Sequence, residues 1–321
     1  MHKKILVLLM SLTVILGIQS KVFASAIDST ISDSGINKGS VSVSVRDLET
    51  GKAVYELHEN KPSMPASTMK LITLTASIDK LGKNYEFSTK LYKNTNNELF
   101  IKLGADPFLT SAGLNNLFEK AVKEKKVVSP KAIYIDDYIF DSTEWGEGWQ
   151  WDDDLNPLMP KFSSYNIDGN KLGIIITPTT LGAPASIYTS KFYPTTFMNL
   201  VTTGKENKVE ISRNNSISPD ILKVEGTINK QITQYIPINH PKRYFILRME
   251  DAIRSAKMDY YGAFMQKKVP SSNVYLVSEV KHQMDKAIEE ILANSNNFVA
   301  ESVFKLAGAK YVNNTGSLAN S

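Results

Sequence analysis

The sequence predicts a mixed α/β protein in which a long, β-rich middle region separates two short segments of strand and helix. Three observations support this prediction. Residues Ser40 to Leu57 form two strand-like runs around a turn, and Leu71 to Leu81 form a largely apolar helix. From about Lys83 to Leu276, short strand-like runs alternate with Asn, Pro and Gly turns, and helical periodicity returns only near the end of the chain.

The first segment reads as a β-hairpin followed by a helix. Valines 41, 43 and 45 alternate with serines, which is the period of a half-buried strand, and Glu49–Thr50–Gly51 supplies the turn before a second strand from Ala53 to Leu57. Pro62 and Pro65 then interrupt the chain before the helix. Gly82 stands where a C-terminal helix cap is expected.

The middle region contains few helical signals. An amphipathic helix is predicted from about Leu114 to Lys125 and another from near Pro241, while residues from about Gly204 to Ile238 are polar and β-like. Near the end of the chain, apolar residues recur at helical spacing on both sides of the polar stretch "NSNN". This pattern predicts two helices joined by a turn.

The N-terminus predicts a secretory signal over residues 1–24. Lys3 and Lys4 precede the apolar stretch from Ile5 to Ile18, and small residues then offer cleavage after Ala24 or Ala26. The stretch is short for a membrane span, although a retained N-terminal anchor stays open as an alternative. The expected location is therefore extracytoplasmic, in the cell wall or secreted.

Composition excludes several classes of function. The 321 residues include no cysteine, so disulfides, cysteine-based zinc sites and cysteine nucleophiles are excluded. The formal net charge of the whole sequence is only +4. Removal of the signal would also remove the three positive charges of Lys3, Lys4 and Lys21. The mature chain is therefore not basic enough to suggest nucleic-acid binding.

The tetrad "STMK" places Ser67 and Lys70 three residues apart at the start of the first helix. Residues at this spacing share a helix face, and a neutral lysine there could take the proton of a nucleophilic serine. Burial and the helix N-terminus would both lower the pKa of Lys70. The tetrad alone favours the simpler interpretation, an N-cap serine beside a solvated lysine.

A second polar box, Ser295–Asn296–Asn297, lies more than two hundred residues downstream between the two predicted helices. The hydroxyl of Ser295 could relay a proton to a leaving amine, and the amide of Asn297 could hold a substrate carbonyl. An ordinary polar turn is the alternative for this box alone. An S-x-x-K tetrad that follows a hairpin, opens a buried helix and precedes a distant S-x-N box is the context of acyl-serine enzymes.

These boxes and several longer stretches resemble one family. The segments "SVSVRDLETGKAVYELHENKPSMPASTMKLITLTASIDKLG", "LFIKLGADPFLT", "IYIDDYIFD", "GEGWQWDDD" and "ILANSNNFVAESVFKLAG" are similar to DacB-type D-alanyl-D-alanine carboxypeptidases, the class C low-molecular-mass penicillin-binding proteins. The resemblance implies a β-lactamase/transpeptidase-like acyl-serine domain with an antiparallel sheet between helices. Residues 25–83 and 277–321 would belong to that domain, and residues 84–276 would form two small inserted β-rich lobes.

The resemblance also implies roles for individual residues. Ser67 would be the acylated nucleophile, Lys70 its base, Ser295 the proton relay and Asn297 the ligand of a substrate amide. Asp153 is the best match to an aspartate that faces the amine of the stem peptide, although Asp152 and Asp154 keep the register open and a solvated acidic turn is the alternative. The implied substrates are peptidoglycan stem peptides ending in D-Ala-D-Ala, with β-lactams as covalent inhibitors and no metal or cofactor.

The family has a third box, K-T-G on a strand, and we assign no segment of this sequence to it. The stretch "NTGSL" from Asn314 to Leu318 follows Asn297 too closely to be that box. We therefore expect this chain to end before K-T-G and to be impaired, since loss of an oxyanion donor costs about a hundred- to a thousandfold in rate. A non-catalytic wall-binding remnant is the alternative function, and the long insert disfavours a β-lactamase.

Other candidate sites are weaker. His58, His240 and His282 lack metal-ligand spacing, and no G-x-S-x-G elbow supports a Ser–His–Asp triad. Tryptophans 145, 149 and 151 could form an aromatic wall, but packing in a core or turn is the simpler interpretation.

Overall fold

The computed structural model describes residues 26–213, 217–218, 220–312 and 316–317. The predicted signal segment lies outside the described residues, as does most of "NTGSL". The chain divides into two compact units, the first ending at Ala66 and the second beginning at Ser67. The boundaries predicted for the inserted lobes, at residues 84 and 276, remain predictions.

The described residues contain both helices and strands, in agreement with the predicted mixed α/β class. The α-helices are α1 (residues 26–33), α2 (Met69–Leu81), α3 (Ser111–Lys123), α4 (Pro241–Ser255), α5 (Met284–Leu292) and α6 (Asn297–Val312). The strands are β1 (Val43–Arg46), β2 (Ala53–Leu57), β3 (Glu86–Asn94), β4 (Glu98–Lys102), β5 (Ala132–Asp136), β6 (Lys171–Thr177), β7 (Ser186–Thr189), β8 (Thr196–Thr203), β9 (Lys208–Arg213), β10 (Ile221–Ile228), β11 (Ile232–Pro237), β12 (Phe264–Gln266) and β13 (Val274–Gln283). Within the described ranges, no helix is both long enough and apolar enough to cross a membrane.

The first unit contains the predicted hairpin. Strands β1 and β2 pair antiparallel around a turn in which the Asp47 carboxylate accepts hydrogen bonds from the backbone N–H and the hydroxyl of Thr50, each at 2.7 Å. Gly51 closes the turn with φ of 68°, a left-handed conformation that glycine adopts at little cost. The turn chemistry read from the sequence is therefore the one that the chain uses.

The largest sheet of the second unit brings distant parts of the chain together. It has the order β12-β5-β4-β3-β13, with β3 antiparallel to both neighbours and β5 parallel to both of its own. Strand β3 follows α2, and β13 leads directly into α5. Glu86, the first residue of β3, pairs with Gln283, the last residue of β13. The end of α2 and the start of α5 therefore lie at the same end of these two strands.

Helices α3 and α4 pack against each other, and α3 also packs against β3 and β13. Helix α3 begins at Ser111, three residues before the predicted start, because the Thr110 hydroxyl caps it by accepting the Gly113 N–H at 3.0 Å. Its buried residues, Leu114, Leu117, Phe118 and Ala121, follow the predicted amphipathic spacing. Helix α4 begins at Pro241, as predicted.

Two smaller sheets occupy the rest of the middle region. One has the order β11-β6-β7 with antiparallel pairs throughout, and the other has the order β8-β10-β9. In the second sheet β10 is parallel to β8 and antiparallel to β9. The polar region from Gly204 to Ile238 therefore contains strands β9, β10 and β11, as its composition predicted.

Helices α2, α5 and α6 contribute buried residues to one hydrophobic cluster, which also contains aromatic residues from the middle region. Helix α6 is buried over most of its length, whereas in α2 only Leu74 and Ser77 are buried. The apolar residues Met69, Leu71 and Ile72 are 46%, 56% and 66% exposed. The expectation of a buried helix after the hairpin therefore holds for only one face of α2.

Candidate active site

Ser67 and Lys70 contact each other at the start of α2. A 3-10 turn from Ala66 to Thr68 leads straight into the helix, and the Lys70 Nζ donates a hydrogen bond to the Ser67 Oγ at 3.1 Å. Thr68, rather than Ser67, takes the N-cap position, and no side chain caps the helix. The Ser67 hydroxyl therefore contacts the lysine, which the alternative of a capping serine does not explain.

The electrostatic surroundings of Lys70 favour a base. Lys70 is half-buried, and burial lowers the pKa of its amine below the usual lysine range, while the negative charge of Glu301 opposes that shift. Burial in turn raises the pKa of Glu301, and Lys70 opposes it. Sequence reasoning missed Glu301, because nothing in its spacing relates it to Lys70; its one signal is an acidic residue inside an apolar helix.

Ser295 lies in the turn between α5 and α6, as predicted from "NSNN". Its φ of 51° is in the left-handed region, which is uncommon for serine. The neighbouring Asn296 holds the turn, since its Oδ1 accepts the Val299 N–H at 3.2 Å and its Nδ2 donates to Glu290 at 3.0 Å. These hydrogen bonds fix the backbone of the turn and therefore the position of Ser295.

Three of the predicted site residues line one cleft. Ser67, Lys70 and Ser295 share a depression of about 260 Å³ with Thr68, Leu71, Ile291 and Leu292. Ser67 and Ser295 are exposed, so a substrate can reach both hydroxyls from solvent. The arrangement combines a nucleophile, a base with a lowered pKa and a second hydroxyl, which are the groups that acyl transfer to a serine requires.

Asn297 opens α6 beside this cleft, but its amide is already engaged. The Asn297 Nδ2 donates to the backbone carbonyl of Leu158 at 3.0 Å. That carbonyl belongs to the segment that follows the three predicted aspartates. The structure thus places Asn297 at the contact between α6 and this segment, outside the residues that line the Ser67 cleft.

The three aspartates have different surroundings. Asp152 is exposed, while Asp153 accepts hydrogen bonds from the Gln150 backbone N–H at 3.3 Å and the Asn156 Nδ2 at 3.4 Å. The Asp154 carboxylate forms an ion pair at 3.0 Å with Arg213, whose side chain is only 5% exposed. None of the three lines the Ser67 cleft. The ion pair gives Asp154 a structural role, and within the described ranges neither Asp152 nor Asp153 forms an ion pair.

A buried lysine that sequence reasoning did not single out connects α6 to the middle region. Lys305 is fully buried, and its Nζ donates to the Asp141 Oδ1 at 2.5 Å and to the Thr143 carbonyl at 2.7 Å. One helical turn earlier, Ser302 accepts a hydrogen bond from Asn166 at 3.1 Å. Together with the Asn297 contact, these bonds attach one side of α6 to residues 141–166. A lone lysine in the run "FVAESVFKLAGA" was the available signal.

Gly316 lies away from the cleft. Its N–H donates to the Ile139 carbonyl at 2.8 Å, and its carbonyl accepts the Asp141 N–H at 3.0 Å. It therefore pairs with the segment that Lys305 holds and is not among the residues that line the Ser67 cleft. Of the part of "NTGSL" that the structure describes, Gly316 is therefore not in a wall of the site.

The weaker candidates form no second centre. Trp145 and Trp149 contact edge to face with ring centres 5.2 Å apart, and Trp149 contacts Phe162 in the same way, so both pack in a local aromatic cluster. The His282 ring contacts the Asp106 carboxylate at 2.7 Å. Across the residues that the structure describes, no three His, Asp or Glu side chains converge to hold a metal ion.

Comparison with known proteins agrees with this geometry. Residues 23–321 match the model of the D-Ala-D-Ala carboxypeptidase 3 (S13) family. The chain is 24% identical over 174 residues to a D-alanyl-D-alanine carboxypeptidase of Actinomadura sp., covering 50% of this chain and 32% of the relative. It is 19% identical over 284 residues to the D-alanyl-D-alanine carboxypeptidase DacB of Haemophilus influenzae, covering 83% of this chain and 58% of the relative.

A solved structure shows the same fold. The chain superposes on the crystal structure of penicillin binding protein 4 (dacB) from Haemophilus influenzae with a TM-score of 0.72 and 19% identity. The superposition covers 86% of this chain and 64% of the other. The predicted penicillin-binding, transpeptidase-like fold is therefore confirmed. The chain spans between about a third and three fifths of the length of the two curated relatives.

Proposed function

This chain belongs to the D-Ala-D-Ala carboxypeptidase 3 (S13) family, and on that premise we propose that it is a serine D-Ala-D-Ala carboxypeptidase working through an acyl-enzyme. The observation that carries the proposal is the 3.1 Å contact between Ser67 and Lys70 in a cleft shared with Ser295. The names of the curated relatives support the same activity.

In the proposed reaction, neutral Lys70 takes the hydroxyl proton of Ser67 as the Ser67 Oγ attacks the carbonyl carbon between two D-alanines. The peptide C–N bond then breaks, and the leaving amine receives a proton relayed through Ser295. The terminal D-alanine departs and the remaining peptide stays as an ester on Ser67. Water hydrolyses that ester, returns the proton to Ser67 and frees the shortened peptide.

Two further residues would bind substrate. Asn297 would hold a carbonyl of the substrate once its amide releases the Leu158 carbonyl. Asp153 would face the amine of the stem-peptide side chain, since Asp154 is paired with Arg213 and Asp153 has only weak neutral donors. Both assignments rest on the family resemblance together with these contacts.

The proposal includes an extracytoplasmic location. Peptidoglycan stem peptides would be the substrates, and the predicted signal over residues 1–24 would deliver the protein to them. A β-lactam would imitate the D-Ala-D-Ala end and acylate Ser67. The name of the superposed structure, a penicillin binding protein, supports that expectation.

Labelling with a fluorescent penicillin tests the proposal. The wild-type chain should retain the label after denaturation, and Ser67→Ala should not, whereas Ser63→Ala, which removes an exposed serine four residues earlier, should label normally. Release of D-alanine from a stem pentapeptide should follow the same order. Absence of Ser67-dependent labelling at high protein and drug concentration would contradict the proposal, and binding of isolated cell walls without labelling would favour the wall-binding alternative.

A further inference from the structure

We propose that Glu301 on α6 is a positioning residue that acts through Lys70: its charge balances the charge of the Lys70 amine when the amine takes the proton of Ser67. The inference rests on the proposed function, in which Lys70 is the base. It adds a residue that lies outside both the S-x-x-K and the S-x-N boxes, and that does not itself contact the serine.

The packing of two helices brings Glu301 to the level of Lys70. Helices α2 and α6 pack against each other, and near their C-terminal ends the Lys80 amine lies 5.4 Å from the centre of the Tyr311 ring. The two helices therefore run in the same direction. Lys70 stands ten residues before Lys80, and Glu301 stands ten residues before Tyr311. At 1.5 Å per residue, both lie about 15 Å back along their helices, at matching heights.

Burial makes this pairing specific. Glu301 is half-buried between the buried residues Ala300 and Ser302, and burial without a charge partner is costly for a carboxylate. Lys70 is the one charged group, among those described, that offsets the burial of Glu301, and Glu301 does the same for Lys70. On α5, Glu290 accepts hydrogen bonds from Asn294 and Asn296 instead.

The pairing suits the chemistry of the first step. When Ser67 attacks, its proton moves to the Lys70 nitrogen, and a neutral amine becomes an ammonium in a half-buried site. A carboxylate beside that ammonium stabilises the charge as it develops, without itself gaining or losing a proton.

The titration of Lys70 tests the inference directly. In protein labelled with ¹³C at lysine Cε, with Lys70→Arg identifying the signal, Glu301→Gln should lower the pKa of Lys70. Glu289→Gln, which removes the same charge from an exposed position on α5, should leave it unchanged. Glu301→Asp should restore part of the shift. The acid limb of the penicillin acylation rate should move to lower pH in Glu301→Gln, with a reduced plateau.

An unchanged Lys70 pKa in a folded Glu301→Gln variant would overturn the inference. If that variant does not fold, the reciprocal measurement replaces it: Lys70→Met should raise the pKa of the Glu301 carboxyl, and no change would again contradict the pairing. These titrations need no activity. A chain that shows the coupling but no acylation of Ser67 would therefore refute the proposed function and leave the pairing standing, while acylation without the coupling would refute only the pairing.

Discussion

The Nζ of Lys305 lies 2.5 Å from the Oδ1 of Asp141, and the lysine side chain is completely buried while the carboxylate is 34% exposed. This ion pair joins the helix that opens with Asn297 to the segment that leads toward Asp153. It therefore connects the middle region of the chain to the helix that follows the Ser295 turn, through a charge that cannot reach water. Because the two partners differ in exposure, removal of the carboxylate and removal of the lysine should lower stability by different amounts.

Removal of the carboxylate should harm the fold more than removal of the lysine. Asp141→Asn leaves an ammonium buried without a counter-charge and should lower the free energy of unfolding by about 3–5 kcal/mol. Lys305→Met keeps the apolar stem and leaves a carboxylate that water can reach, so we expect a smaller loss. Urea unfolding followed by circular dichroism measures both; equal losses would show that the exposure of Asp141 does not matter.

The same pair predicts an acid dependence of stability. Burial alone would raise the pKa of Asp141, but the hydrogen bond and charge of Lys305, together with hydrogen bonds from Thr143, outweigh it, and the pKa is lowered. A lowered carboxyl pKa contributes stability above the unfolded-state pKa, about 3.9, and that stability is lost as pH falls through the folded-state value. In Lys305→Met the hydrogen bonds from Thr143 remain, so this contribution should be reduced, and the unfolding free energy measured between pH 6 and pH 3 should change less steeply.

Ser295 allows backbone strain to be separated from chemistry. Because its φ is 51°, Ser295→Gly should keep or raise stability, by up to about 1 kcal/mol, whereas Ser295→Ala keeps the strained conformation. Both variants lack the hydroxyl, and both should slow D-alanine release by about a hundredfold or more. A glycine variant with full activity would remove Ser295 from the reaction.

The protonation state of Lys70 should control acylation. Only the neutral amine accepts the serine proton, so the acylation rate should rise with pH through the pKa of Lys70, which burial places below the usual lysine range. Lys70→Arg keeps the positive charge but cannot be deprotonated, and should slow acylation by at least about a hundredfold. A stopped-flow pH profile measures both, and rapid acylation by the arginine variant would exclude Lys70 as the base.

The three aspartates should separate by substitution to asparagine. Asp153→Asn should lower kcat/KM by about tenfold, or ~1.4 kcal/mol, for a stem peptide with a free side-chain amine, and not for its acetylated form. Asp154→Asn should instead lower stability, by about 2–3 kcal/mol, because it removes the charge paired with buried Arg213. The exposed Asp152→Asn is the matched control. An amine-specific loss in Asp152→Asn rather than Asp153→Asn would shift the assignment by one residue.

Local patterns predicted the elements that carry the site. The alternating valines gave the β1–β2 hairpin, and helical spacing around "NSNN" gave α5, the turn and α6. In each case the signal lies within a few residues, so periodicity and turn chemistry are enough. The family resemblance then named Ser67, Lys70 and Ser295, which the structure brings into one cleft.

Long-range contacts could not be predicted in the same way. The pairing of β3 with β13, the parallel β8–β10 pair and the approach of Glu301 to Lys70 depend on which distant segments meet, and no local pattern records that. The exposure of Leu71 and Ile72 also departs from the expected burial, since an apolar residue in a helix indicates a tendency to be buried and not the presence of a partner.

The most direct test of the account is to locate the covalent bond. After incubation of the chain with penicillin and rapid denaturation, protease digestion and tandem mass spectrometry should place the added penicilloyl mass on Ser67, in the peptide that contains "STMK". The adduct should disappear in Ser67→Ala and fall sharply in Lys70→Arg. An adduct on another residue, or equal modification of the Ser67→Ala variant, would contradict the assignment of Ser67 as the nucleophile.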